Sequence, residues 1–159
     1  MIQRVQSVFL LLVAIAMICL FFLPVWSKTD AAGVEYVLDA YKLAPVTAPA
    51  TGEVLSKNTI FIALLAGAAA LVALFSIFQY KNRLTQMKLG ALNSLLMAVL
   101  MFLCFYYAMM VGEDLVKGAT AGSKEAGFFL PALGLILNVL ANRFIKRDEE
   151  LVRSMDRLR

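Results

Sequence analysis

Four apolar stretches, each close to a membrane's thickness when wound as a helix, constrain this 159-residue chain more than anything else in it. A helix crossing about 30 Å of hydrocarbon needs about 20 mainly apolar residues, because a lipid interior offers no water to satisfy open backbone groups. The stretches run over about 7–26, 59–80, 89–111 and 128–145, and none has Asp, Glu, Lys or Arg near its middle. Arg143 falls in the last turn of the fourth, where a long side chain can reach the interface. Composition agrees: 62% of residues are hydrophobic and 16% charged, against about 45–50% and 25% in soluble domains. The expected fold is all-α: one membrane domain, 1–159, built as an antiparallel bundle of four transmembrane helices. Pro24 and Trp26 mark the expected interfacial exit of the first helix. That apolar run is longer than the core of a cleaved signal peptide, so it is read as a retained helix.

Orientation follows from the basic residues. Arg4, Lys81, Arg83, Lys88, Arg143, Lys146, Arg147, Arg153, Arg157 and Arg159 fall on one side of the four stretches, and Lys28, Lys42, Lys57, Lys117 and Lys124 on the other. Ten against five places both termini and the 81–88 turn in the cytoplasm, with loops 27–58 and 112–127 outside. The tail, 146–159, carries opposite charges at helical spacing, Lys146 with Glu150, Glu149 with Arg153, and Arg153 with Asp156. Such pairs favour a helix continuing out of the fourth span, with Phe144, Leu151, Met155 and Leu158 along one side. This amphipathic extension suits an anionic leaflet or a partner helix.

The outer loop 27–58 contains "VEYVLDAYKL", whose Val and Tyr content is consistent with one or two short strands, followed by an irregular Pro/Thr/Gly segment. A hairpin of that size is not stable alone, so it is expected to cap the outer helix ends. Small residues at three- and four-residue spacing, Ala63, Ala66, Gly67, Ala70 and Ala73 in the second stretch and Gly90, Ser94 and Ala98 in the third, allow close helix packing. They also allow a second copy to dock. Pro131 is expected in the first turn of the fourth helix, where its missing N–H costs little. Asn93, Ser94, Asn138 and Asn142 are the polar residues expected to bond across helices.

The chain contains no His, the commonest metal ligand and general base. Cys19 and Cys104 lie in separate apolar stretches without a CxxC partner and read as small core residues. No phosphate-cradling Gly-rich loop is present, and the basic residues flank apolar segments instead of forming a nucleic-acid face. No cofactor, metal or catalytic residue is therefore expected.

The opening "MIQRVQSVFLLL", the turn "YKNRLTQMKL" and the ending "LANRFIKRDEELVRSMDRLR" resemble a bacterial family of integral membrane proteins, domain of unknown function 4293, found mainly in the Bacteroidota. The resemblance runs the length of the chain. It implies a four-helix protein of a Gram-negative inner membrane and brings no assigned activity, cofactor or site residue. All three stretches map to the cytoplasmic face. The expected function is a non-enzymatic accessory or scaffold subunit that meets a protein partner or the lipid surface through Gln3, Arg4, Lys81, Asn82, Arg83, Arg147, Arg153 and Arg157. Two alternatives remain open: an oligomeric transporter or channel with Asn93, Asn138 and Asn142 along its path, and a lipid-modifying enzyme using Glu113 and Asp114.

Overall fold

The computed structural model describes residues 2–46, 56–80, 82–118 and 121–156, with backbone alone for 2–4, 153 and 155–156. It is 69% helical, with four helices and one small sheet. The helices are α1 (Ile2–Cys19), α2 (Ile60–Phe78), α3 (Arg83–Leu115) and α4 (Ala126–Asp156). α1 packs on α2 and α4, and α3 packs on the same two, so the four surround one core. Three are long and apolar enough to cross a membrane: α2, α3 and the Ala126–Val152 part of α4. The described apolar run of α1, Val5–Cys19, is shorter.

Two helix ends differ from the sequence reading. The first apolar stretch was expected to be helical over 7–26, yet α1 stops at Cys19 and Trp26 opens a strand. Pro24 has no N–H and biases the residue before it away from helical angles. Beyond it, Val25 donates its N–H to the Leu38 carbonyl at 2.8 Å, so the backbone finds a sheet partner. The expected turn 81–88 is mostly helix, because the Asn82 side chain accepts from the Thr85 N–H and caps α3 at its first residues. Pro131, expected in a first turn, lies inside α4, which starts earlier. Glu125 and Gly127 there donate their N–H groups to the Val25 and Pro24 carbonyls and carry the chain into the helix. Both cysteines are free.

The connecting segments form an antiparallel sheet of five strands: β1 (Trp26–Thr29), β2 (Glu35–Leu38), β3 (Lys42–Pro45), β4 (Lys57–Asn58) and β5 (Ser123–Lys124), in the order β4-β3-β2-β1-β5. Gly33, at φ 81, makes the left-handed step of the turn from β1 to β2, where its N–H reaches the Asp30 carbonyl at 2.9 Å. Alternate residues of β1 to β3 face the helix ends, and Trp26, Lys28, Tyr36, Leu38 and Leu43 are buried there. The sheet therefore covers one end of the helices, the sheet end. The α2–α3 turn and the extension of α4 form the opposite, tail end.

Trp26 is the centre of this cap. It is fully buried and its indole lies between Gly112 and Gly122. A Cβ on Gly112 would come within 2.9 Å of the ring, and one on Gly122 within 2.2 Å of its Nε1. Gly112 reaches the indole through a change of winding in α3. Its buried positions run Gln86, Gly90, Asn93, Met97, Leu100 and Cys104 at alternating steps of four and three, then Ala108, Gly112 and Val116 at steps of four. The switch coincides with a π-helical turn at Tyr107–Gly112, whose greater number of residues per turn keeps every fourth residue on one side.

Gly122→Ala is expected to push its methyl into the only tryptophan of the chain, costing about 1–3 kcal/mol by overpacking. Thermal unfolding followed by Trp26 emission checks it: a lower midpoint with emission moved to longer wavelength.

Candidate functional site

Each helix presents its core with a stripe stepping by four and three residues, the spacing that keeps a seam facing its neighbours. On α1 the stripe is Gln6, Leu10, Val13 and Met17, continued by Leu20 just past its end; on α4 it is Gly127, Pro131, Gly134, Asn138, Ala141 and Ile145. The polar members all lie toward the tail end: Gln6 on α1, Ser76 on α2, Gln86 and Asn93 on α3, and Asn138 on α4. Asn93 is ten residues into α3, so at 1.5 Å per residue the polar seam reaches about 15 Å below the helix start. Above it the core is apolar. Where Met17, Met97 and Gly134 meet, a Cβ on Gly134 would lie 2.9 Å from both methionines, which leaves no gap between α1, α3 and α4.

The seam is held by a close approach of α3 and α4. Asn138 donates from Nδ2 to the Gly90 carbonyl at 2.7 Å and to Ser94 Oγ at 2.8 Å. Asn142, one turn on, occupies the space that a side chain at position 90 would need, with its Oδ1 1.9 Å from the site of a Cβ there. On the other flank, Gln86 donates to the Ser76 carbonyl at 3.1 Å and ties α3 to α2. Gln6 reaches the Phe144 carbonyl at 3.5 Å, beside a stacked pair of Phe9 and Phe144 rings 5.5 Å apart, joining α1 to α4. Four of the groups are incompletely satisfied: Ser76 Oγ, Asn138 Oδ1, Asn142 Oδ1 and both amide atoms of Asn93 are buried without a hydrogen-bond partner.

Of the residues expected to bond across helices, the structure thus joins Asn138 with Ser94, sets Asn142 on Gly90, and leaves Asn93 without a protein partner. Gln6, Ser76 and Gln86 were missed by sequence reasoning. Of the three, Gln86 left a signal, since it continues the stripe of Gly90, Asn93 and Met97.

At the tail end, Arg83 joins three groups of α4. Its guanidinium lies 3.1 Å from the Asp148 carboxylate and 4.0 Å from that of Glu149, and donates to the Asp148 carbonyl at 2.9 Å. Asn82, Arg83, Leu84, Glu149 and Val152 line an open cleft of about 520 Å³ between the α2–α3 turn and α4. Lys146 and Glu150, at 4.0 Å, form an exposed pair that contributes little. Arg147 is exposed. Lys81 and Arg157 lie outside the described residues, as do the side chains of Gln3, Arg4 and Arg153.

At the sheet end, the two acids proposed for lipid chemistry are separated in role. Glu113 pairs with the inward-facing Lys28 and accepts the Gly122 N–H at 2.8 Å, while Asp114 is exposed. Lys28 is 7% exposed, so the alternation that turns β1 inward at this residue requires the Glu113 charge beside it. Ser27 and Ser123 both donate to Glu125 Oε1, at 2.8 Å and 2.9 Å, and these bonds hold its carboxyl below the usual carboxylate range. Among the described residues no group of three His, Cys, Asp or Glu side chains is placed to hold a metal.

The sequence matches a family model described as domain of unknown function (DUF4293) over residues 2–158. No curated protein matches it.

Gly90→Ala is expected to force Asn142 out of the α3–α4 contact and to cost about 1–3 kcal/mol. Shortening the opposing side chain, as Gly90→Ala with Asn142→Ala, should recover much of the loss. Unfolding midpoints of the wild type, both single variants and the double variant test the coupling.

Proposed function

The chain belongs to the DUF4293 family, and from that premise we propose that it is a non-enzymatic accessory or scaffold subunit of the inner membrane, which docks a partner protein on its cytoplasmic face. In this reading all four helices cross the bilayer as an antiparallel bundle with both termini inside. The exposed side of α1 supports a fourth crossing despite its shorter apolar run. Val5, Val8, Leu12 and Ile15 are exposed in the same way as Leu64, Leu71 and Phe75 of α2, while Leu10, Val13 and Met17 are buried in the shared core. Apolar side chains facing outward on every helix suit lipid, and the excess of Lys and Arg at the tail end suits the cytoplasm.

One observation carries the docking assignment. α4 continues without a break to Asp156, and Arg83 fastens that extension to the α2–α3 turn by two charge-assisted bonds to Asp148. A surface held in place before binding loses less entropy when a partner arrives. The cleft beside it combines the apolar side chains of Leu84 and Val152 with the polar groups of Asn82, Arg83 and Glu149.

The transporter reading draws support from the unpartnered amides of the seam, but the contact of Met17, Met97 and Gly134 weighs against a path through the core. The enzyme reading loses its candidate Glu113 to the ion pair with Lys28.

Two measurements test the proposal. A reporter active only in the cytoplasm should give signal when fused at the C-terminus and none when inserted after Val46; the reverse pattern overturns the orientation. Mass spectrometry of natively expressed protein in mild detergent should show a stoichiometric partner that is lost on truncation after Arg147 and reduced by Arg83→Ala. Protein running alone in all three forms would refute the docking role.

A further inference from the structure

We propose that the tail end of the helix interior is hydrated, with Ser76, Asn93, Asn138 and Asn142 holding a small cluster of water molecules between the helices. Asn93 is 1% exposed and neither atom of its amide meets a protein partner. Of the other orphaned atoms, Ser76 Oγ, Asn138 Oδ1 and Asn142 Oδ1 come from α2 and α4 and lie in the same half of the core, between the α2–α3 turn and the level of Gly134, while Trp26 Nε1 stands apart from them in the sheet-end cap. A polar atom withdrawn from solvent without a partner is costly, and more so where lipid surrounds the protein. Four such residues on three helices therefore call for an occupant.

The chemistry of the orphaned atoms identifies it. Asn93 presents an unused acceptor and an unused donor, whereas the remaining three groups present oxygen atoms. A bare cation would be met by the Asn93 N–H group, and an anion would be met by the carbonyl oxygens of Asn138 and Asn142, while the Ser76 hydroxyl can donate or accept. A neutral molecule that donates and accepts fits all of them, and water is the smallest. Buried water typically makes about three bonds to groups of this kind. Asn138 shows how such a site is shared: its Nδ2 is committed to Gly90 and Ser94, so water is needed only at Oδ1. On the sheet side the cluster stops at Met17 and Met97, where the core becomes apolar.

The test uses the full chain in detergent micelles with ¹⁵N-asparagine labelling, which leaves five side-chain amides to resolve. Rotating-frame cross-relaxation between water and the Nδ2 protons of Asn93, with the sign of contact rather than of exchange, is the expected result. Its absence in folded protein overturns the proposal. Asn93→Leu supplies an independent reading. If water satisfies the amide, the leucine displaces it and strands the neighbouring oxygens, and the unfolding midpoint falls by roughly 2–6 °C. If the amide has no partner at all, removing it raises the midpoint, which would equally overturn the proposal.

Discussion

The contact of α3 with α4 at Gly90 sets the geometry on which the rest of this protein depends. Between helices in lipid there is no hydrophobic force, since the surrounding tails are as apolar as leucine; association rests on close packing and on polar bonds made in the gap. Gly90 supplies both. Its missing side chain lets Asn142 sit against the backbone of α3, and its carbonyl takes the Nδ2 of Asn138. With α3 and α4 in that register, Gln86 is carried to Ser76 on α2 and Phe144 to Gln6 on α1. Three of the four helix–helix contacts at this end then have a hydrogen bond across them, and the α1–α4 contact has a ring stack as well.

The two ends are built on opposite principles. The sheet end is closed by shape: an indole between two glycines, a buried lysine with one carboxylate, and strands that take over the chain where helices stop. The π-turn in α3 belongs to this arrangement, because a helix of constant pitch would carry its stripe past the indole instead of bringing Gly112 onto it. The tail end is closed by polar bonds, and these leave part of their capacity unused. Among the described residues most of the unspent hydrogen-bonding lies in the tail-end seam, with Trp26 Nε1 its one counterpart in the cap.

Much of this was legible in the residues, for a physical reason. A helix in lipid shows as a long apolar run, so α2, α3 and α4 were placed, and a polar residue inside such a run stands out, which is why Asn93, Ser94, Asn138 and Asn142 were singled out. The end of α1 was not legible, because a buried strand and a buried helix are both continuous apolar sequence; Val25 and Trp26 belong to the first although they follow from the second. β5 was hidden for a different reason. Its two residues carry no alternation, and they are a strand only because Ser27 and Trp26 pair with them from almost a hundred positions away. Gln86 and Ser76 sit near span ends, where polar residues attract no notice; only the four-and-three spacing of the α3 stripe marks Gln86 as interior.

The Arg83 clasp connects the interior to the face where a partner is proposed to bind. Arg83 opens α3, and three residues later Gln86 enters the seam, so the first turn of one helix carries both the bond to the α4 extension and the bond to α2. Asn138 and Asp148 are likewise on one unbroken helix, ten residues and about 15 Å apart. A partner that shifted the extension of α4 would pull on Arg83 and, through the rigid first turns of α3, on the contact at Gly90. The same continuity works in reverse, because the register fixed by Asn138 sets where Asp148 stands relative to Arg83. The proposed docking surface and the polar seam are two parts of one mechanical unit, so that a substitution deep in the seam bears on the tail-end face without touching it.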